Sequence, residues 1–364
     1  MTNFRFLTSG ESHGMCLNAI IEGLPANLSI DTDFINNKLA QRQSGYGRGG
    51  RMQIETDKIQ IKSGVRHGKT TGAPICIEIQ NKDWENWKTP MSVTPVDFTD
   101  EEVRKLIEEK RITNVRPGHA DLAGATKYNQ ADVRNILERS SARETATRVA
   151  VGAIAQCLLN KFNITAEAKV LKIGAATDEN TIKQEIDKAK EAGDTLGGCV
   201  EVVFKNMPVG LGSFVHWDRR LDGKIAQAVM SIPAIKSVEI GAGIQVAELS
   251  GSQTHDEIFF ENGQYKRKTN NAGGIEGGMS NGEDIVVRAC MKAIPTMKKP
   301  LQSVNIETKE AYNAHFERSD TCAVEACAIV VETMSAIVIA DAFLEKFGGD
   351  SIEETEKNFS NRFE

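Results

Sequence analysis

The 364-residue chain lacks most of the marks of the common function classes. It has no excess of positive charge: 44 Lys and Arg stand against 50 Asp and Glu, a net charge of -6. A global basic field of the kind that gathers nucleic acid is therefore excluded. No positively charged start leads into an apolar signal segment, which argues against export and for a cytoplasmic protein. The seven cysteines are odd in number and include no C-x-x-C, as expected of reduced thiols in the cytosol. Cys76, Cys157, Cys290 and Cys327 lie in apolar stretches and read as small core residues. The six histidines are scattered without metal-ligand spacing, so no metal site is expected. There is no Walker A lysine motif, and no G-x-G-x-x-G that follows a strand and opens a helix. There is also no low-complexity linker. The one long apolar run, 323–343, is interrupted by Glu325, Glu332 and Asp341. Three acids are expensive in lipid, so this reads as a helix buried in protein and not as a membrane span.

What is present begins at Gly10-Glu11-Ser12-His13-Gly14, a literal G-x-S-x-G. In a hydrolase that string is a strained strand-to-helix elbow presenting a serine nucleophile. The strand signal precedes it, with Phe4, Phe6 and Thr8 alternating. After Gly14, however, the run from Met15 to Ile21 reads as a second strand. Two readings stand side by side: Ser12 as nucleophile, or His13 as the group that does the chemistry.

The rest of the chain mixes helix and strand signals. A helix is expected from about Asp31 to Arg42, capped by Asp31. Paired strands are expected around Met52, Ile54, Ile59, Ile61 and 73–79. Thr99 with Glu102, and Ser141 with Glu144, read as capping boxes opening helices to Lys110 and about Lys161. A strand, a helix (Glu179 to Ala192) and another strand (Cys199 to Phe204) follow. Further strands are expected at Val238 to Ile240, Ile244 to Leu249 and Asp284 to Ala289. The glycines sit in tight connections, which favours one α/β body over residues 1–364.

Five other segments carry candidate chemistry. Between Lys38 and Lys69 eight basic residues stand against two acids, and Arg42-Gln43-Ser44-Gly45-Tyr46-Gly47-Arg48-Gly49-Gly50-Arg51 lies among them. Glycines admit close backbone approach and guanidinium forks match phosphate and carboxylate, so this loop suits an anionic small molecule. Arg116-Pro117-Gly118-His119-Ala120-Asp121 sets a histidine on a fixed turn, with Arg116 and Asp121 beside it to set its charge state. Arg139-Ser140-Ser141-Ala142-Arg143-Glu144 places two arginines at an expected helix start. Cations are unfavourable there unless an anion answers them. Ala272 to Gly282 is glycine-rich, and Arg318-Ser319-Asp320 stands just before the buried helix.

These six segments, in this order and spread over nearly the whole chain, resemble the chorismate synthases. The resemblance implies an α/β fold of α+β type, a β-α-β sandwich with helices packed between antiparallel sheets, assembled as a homotetramer. It implies conversion of 5-enolpyruvylshikimate 3-phosphate to chorismate and phosphate with reduced FMN, NADPH being the candidate reductant. By the same resemblance His13 lies near the flavin ring, His119 faces the substrate phosphate, and Asp320 stands near the flavin N5. Arg139, Ser140, Ser141, Pro233, Ala234, Gly277, Lys292, Ala293, Ile294, Pro295, Thr296 and Arg318 match cofactor-binding positions. Arg42 and Arg48 match substrate- or NADP-binding ones. The chain departs from the family pattern at Pro233, where some members carry asparagine, and at Thr321, where many carry proline. Two rival classes remain: a serine hydrolase pairing Ser12 with His216, His255 or His315, and a flavin- or phosphate-binding module without catalysis.

Overall fold

The computed structural model describes residues 4–49, 56–314 and 319–361. The strands β1 (Arg5–Gly10) and β2 (Cys16–Glu22) pair as a hairpin whose connection is the Gly10–Gly14 turn. Helix α1 (Thr32–Gln43) follows, with Asp31 accepting from the Phe34 amide at 2.9 Å as its cap. With β3 (Ile59–Ser63) and β4 (Ile75–Gln80) the hairpin forms an antiparallel sheet in the order β1-β2-β4-β3. Three short helices come next: α2 (Glu101–Lys110), α3 (Asp121–Tyr128) and α4 (Arg134–Ser140). Val115, Ala125 and Val133 make a small core of their own beneath α3 and α4.

Helix α5 (Thr145–Lys161) then leads to β5 (Thr165–Ile173), α6 (Glu179–Glu191), β6 (Gly198–Lys205), α7 (Leu221–Met230), β7 (Ile235–Ile240) and β8 (Ile285–Met291). The chain ends in α8 (Val324–Phe347) and α9 (Ile352–Ser360). The second sheet, also antiparallel, has the order β5-β6-β8-β7. Alternation sets its buried face: in β8, Ile285, Val287, Ala289 and Met291 point inward.

Helices α5 and α8 pack against each other between the sheets, α5 on β2 and α8 on β5 and β6. This is the expected β-α-β sandwich. It explains why both helices are apolar around their whole circumference. Gly152 of α5 makes the close approach possible, since a Cβ there would collide with the backbone of Thr333 in α8. Each acid of the apolar run is answered. Glu325 accepts from the Tyr46 amide at 3.1 Å, and Asp341 from the Phe4 amide at 3.0 Å. Glu332 takes the Lys38 ammonium and the Gln156 amide, both at 2.6 Å. Among the described residues α8 is the one helix long and apolar enough to cross a membrane, and nearly all of it is buried inside the protein.

Four local expectations need correction. The cap of α2 is Asp100, accepting from the Glu102 and Val103 amides, while Thr99 is bonded to Asp97. An aspartate carboxylate one residue nearer the helix displaces the Thr99 box. Ser141 opens a 3-10 turn, Ala142–Glu144, and Glu144 turns to Arg148 at 2.8 Å, so that capping box is not formed either. Gly243–Glu248 is 3-10 helix and not a strand, because Gly241 and Gly243 take φ of 61° and 57° and coil the chain. Cys199 and Cys290 are a disulfide and not two reduced thiols. They stand directly opposite in the β6–β8 register, a proximity that cysteine spacing does not reveal. The strand expected at Met52 and Ile54 lies outside the described residues.

Candidate functional site

The Gly10–Gly14 turn is not an elbow. It joins two strands of one hairpin, and Ser12 is only 2% exposed, with Ser141 Oγ 3.3 Å from its hydroxyl. An elbow serine instead stands exposed at a strand-to-helix turn. His216 pairs with Asp218 on an exposed turn, and His255 is exposed on a loop; His315 lies outside the described residues.

His13 is the residue the turn positions. Its ring Nδ1 lies 2.9 and 3.1 Å from the two carboxylate oxygens of Glu138, and its own amide donates to Glu138 Oε2 at 2.7 Å. The ring stacks on Trp87, centroids 4.0 Å apart. Glu138 is buried on α4 and also accepts from Arg134 Nη1 at 2.9 Å. Burial opposes ionisation of Glu138, but the His13 hydrogen bonds and the Arg134 charge outweigh it and hold the carboxyl below its ordinary range. From below, Asn81 donates to the carbonyls of Glu11 and Gly14 at 3.0 and 2.8 Å.

A second histidine is built in the same way. His119 Nδ1 is hydrogen-bonded to Asp121 Oδ1. Asp121 begins α3, is fully buried, and accepts from Arg116 Nε at 2.8 Å and the Arg116 amide at 3.0 Å. Burial opposes its ionisation too, and the bonds from His119 and Arg116 overcome that, leaving its carboxyl well below the ordinary range. The two units are neighbours through their helices, since α3 packs on α4 with Gly124 against Ile136.

Thr296 ties this turn to the third expected residue. It accepts from Arg116 Nη1 at 3.1 Å, and its carbonyl accepts from Ser319 Oγ at 2.8 Å, beside Asp320. Asp320 accepts from the Gly49 amide at 2.6 Å and pairs with Arg48 Nη1 at 2.9 Å. Thr321 fits its position for a reason that a proline could not supply: its N–H donates to the Gly47 carbonyl at 2.9 Å. A cavity of ≈ 250 Å³ opens here, lined by Arg48, Gly49, Thr195, Thr296, Ser319 and Asp320 among others. A larger one of ≈ 430 Å³ lies beside Asp256 and Glu276, two acids poorly suited to anions.

The remaining expected residues are distributed around these loops. Arg42 is buried, donating to Thr145 Oγ1 at 2.9 Å and the Ala142 carbonyl at 3.0 Å, with Asp57 at 3.5 Å. Burial pulls its guanidinium down to about 10. Arg139 is exposed and braces Thr8 and Gly10 of β1. Ser140 and Ser141 end α4. Lys292 donates to the Gly118 carbonyl, joining the Lys292–Thr296 stretch to the His119 turn, and its amide donates to Ala234 at 2.9 Å. Ala234, after Pro233, holds a φ of 72°. Gly277, φ 58°, has open space where a side chain would stand. Arg318 lies outside the described residues.

A family description named chorismate synthase matches residues 4–344. The chain belongs to the chorismate synthase family. It is similar to the chorismate synthase of Caldanaerobacter subterraneus subsp. tengcongensis, 58% identical over 98% of this chain and 97% of that one. It is likewise similar to that of Thermoanaerobacter pseudethanolicus, 57% identical over the same shares. A solved structure titled as the crystal structure of chorismate synthase superposes with a TM-score of 0.78 at 42% identity, covering 98% of this chain and 96% of that one. As a member of this family the chain is an enzyme, a lyase that forms chorismate in the shikimate pathway.

Sequence reasoning missed four residues that the structure sets against these loops: Glu138, Trp87, Asn81 and Asp57. Asp57 takes both oxygens to Arg143 Nη1 at 2.7 Å, and Arg143 Nε in turn holds Asn81 at 3.0 Å. Only Glu138 left a trace, as the i,i+4 partner of Arg134 just ahead of Arg139. The others meet the site from distant strands and loops.

Proposed function

We propose that this chain eliminates phosphate and a ring hydrogen from 5-enolpyruvylshikimate 3-phosphate, with reduced FMN as its cofactor. We read residues 1–364 as one cytoplasmic catalytic unit that assembles as a homotetramer. The observation that carries the reading is the linkage of three loops, those of His13, His119 and Asp320, each carrying a proton-handling side chain beside cationic residues.

The donor set fits an anionic flavin nucleotide. Arg139 and Lys292 supply cations, Ser140 and Ser141 hydroxyls, and Gly277 an unobstructed backbone. Ala293, Ile294 and Pro295 lie on the same stretch as Lys292 and Thr296, and the carbonyl of Ala234, the residue after Pro233, accepts from the Lys292 amide at its start. Arg318 belongs to this set by family resemblance. Arg42 Nη1 faces the buried Asp57 carboxylate at 3.5 Å, so of the two arginines Arg48, paired with Asp320 at the cavity, is the one placed to meet a further anionic group. We assign the Arg42–Arg48 segment to substrate or NADP, with NADPH as the candidate reductant.

When bound, reduced FMN supplies the electron density that helps the phosphate leave. The chain's own groups then have separable tasks. His119 holds a proton for the departing phosphate, as acid or charge partner. Asp320 helps take up the ring proton. His13 donates to the reduced cofactor or balances its charge. The arginines orient two anions side by side and exclude water. Anaerobic incubation with reduced FMN and 5-enolpyruvylshikimate 3-phosphate tests this: chorismate absorbance and equimolar phosphate are expected. Flavin binding with no product would leave only a binding module.

A further inference from the structure

Two histidines on different loops carry the same three-part arrangement. In each, a buried carboxylate sits on ring Nδ1 and an arginine holds that carboxylate: Arg134–Glu138–His13 and Arg116–Asp121–His119. The carboxylates are 2% and 0% exposed, so water does not compete for them. Neither ring Nε2 makes a hydrogen bond among the described residues. His13 and His119 are 14% and 16% exposed in their side chains, which leaves each ring one open edge.

We propose that Glu138 and Asp121 are positioning residues: each holds its histidine in the Nδ1–H tautomer, so that Nε2 is the atom that takes up and gives up the proton. The chemistry is simple. An ionised carboxylate only accepts, so the atom facing it must carry hydrogen. Both carboxylates are held ionised by their partners. His119 Nδ1 also lies 3.2 Å from Arg116 Nη2, but that N–H has Asp121 Oδ1 as its acceptor at 3.1 Å, so the ring nitrogen is left to donate to the same carboxylate. The proton on Nδ1 is therefore retained in both charge states of the ring. Trp87 adds a second constraint on His13 alone, since stacking fixes the ring plane while Glu138 fixes its rotation. Arg134 and Lys110 lie 4.8 and 4.9 Å from the Trp87 centroid, and Asp83 accepts from Trp87 Nε1 at 2.9 Å. A histidine fixed in tautomer and orientation is what proton transfer at a defined atom requires.

The inference rests on the proposed roles of His13 and His119, but it has a readout of its own. Long-range proton–nitrogen spectra of ring-labelled, flavin-free protein report the tautomer of each neutral ring. Both rings are expected as Nδ1–H, against the Nε2–H form that free histidine favours. In Glu138→Gln the His13 signals are expected to move towards a mixture while those of His119 stay; Asp121→Asn should do the converse. Turnover should fall in each, by up to about 10⁴-fold, the cost of losing the carboxylate that fixes a catalytic histidine's tautomer. KM for the phosphorylated substrate should hold, because both carboxylates are buried behind their histidines, 2% and 0% exposed. Wild-type rings in the Nε2–H form, or a Glu138→Gln protein unchanged in both tautomer and rate, would overturn the proposal. Should a variant not fold, the wild-type spectrum alone decides. A wild-type protein with Nδ1–H rings that makes no chorismate would sink the proposed function and leave the positioning role intact.

Discussion

At the scale of single residues the chemistry depends on side chains whose neighbours come from elsewhere in the chain. His119 is set by Asp121 two positions away, but also by the Lys292–Gly118 bond and the Thr296–Arg116 bond from a loop about 175 residues on. His119→Ala is therefore expected to cut turnover by about 10²-fold or more, the usual range for a general acid. FMN affinity should change little, and near-normal turnover would refute the assigned role. His13, His119 and Asp320 were singled out in the sequence because the six segments that hold them resemble the chorismate synthases; local turn chemistry alone marked only the His119 turn and the Gly10–Gly14 turn. Glu138 and Trp87 were not, because a carboxylate on a helix and an aromatic at the end of a 3-10 turn look ordinary until tertiary packing sets them against His13.

Among elements, the α5–α8 contact is the one on which the sandwich is built. Gly152→Ala adds a methyl group against the Thr333 backbone, where neither helix has room to withdraw. Overpacking of this kind costs about 1–3 kcal/mol. A drop in unfolding free energy of that size is expected in denaturant titration, with no change in the slope. The β6–β8 pair gives a second test. With Cys199 and Cys290 bonded and five cysteines free, thiol titration of the denatured, unreduced protein should count five. A count of seven would show the cross-strand pair reduced in solution. Helix periodicity and the Asp31 cap were readable along the chain, as were the alternating strands. The strand expected at 244–249 was not, because apolar alternation could not outweigh two glycines that coil the backbone.

For the whole molecule, the depressed carboxyls of Asp121 and Glu138 link folding to pH. Their folded values lie below the unfolded ones. The stability they contribute is complete above the ordinary carboxylate range, about pH 4. It is lost as pH falls from there through the folded values. Thermal melts should be flat from pH 8 to 6 and decline steeply below pH 4, and Asp121→Asn should flatten that decline. The outer face of the first sheet bears on assembly. Leu7 and Ile20 stand opposite each other in the β1–β2 register, 71% and 53% exposed, with Met15 62% exposed at the head of the hairpin. An apolar patch of this kind seeks a partner. If the proposed tetramer uses this face, Leu7→Glu with Ile20→Lys is expected to lower the mass found by sedimentation relative to the unsubstituted protein, whereas an unchanged mass would place any subunit contact elsewhere.

By itself the sequence determined most of the helices and strands and the identity of the buried helix, because periodicity is local, and its six ordered segments pointed to the family and through it to His13, His119 and Asp320. The strand after Gly10-Glu11-Ser12-His13-Gly14 was already readable and spoke against an elbow; tertiary structure alone decided that the turn sets His13 against the Glu138 carboxylate that arrives from α4. It also decided the Cys199–Cys290 pairing and the link from Arg116 through Thr296 to Ser319. Those contacts join residues far apart in the chain, and nothing in the local sequence encodes which of them will meet.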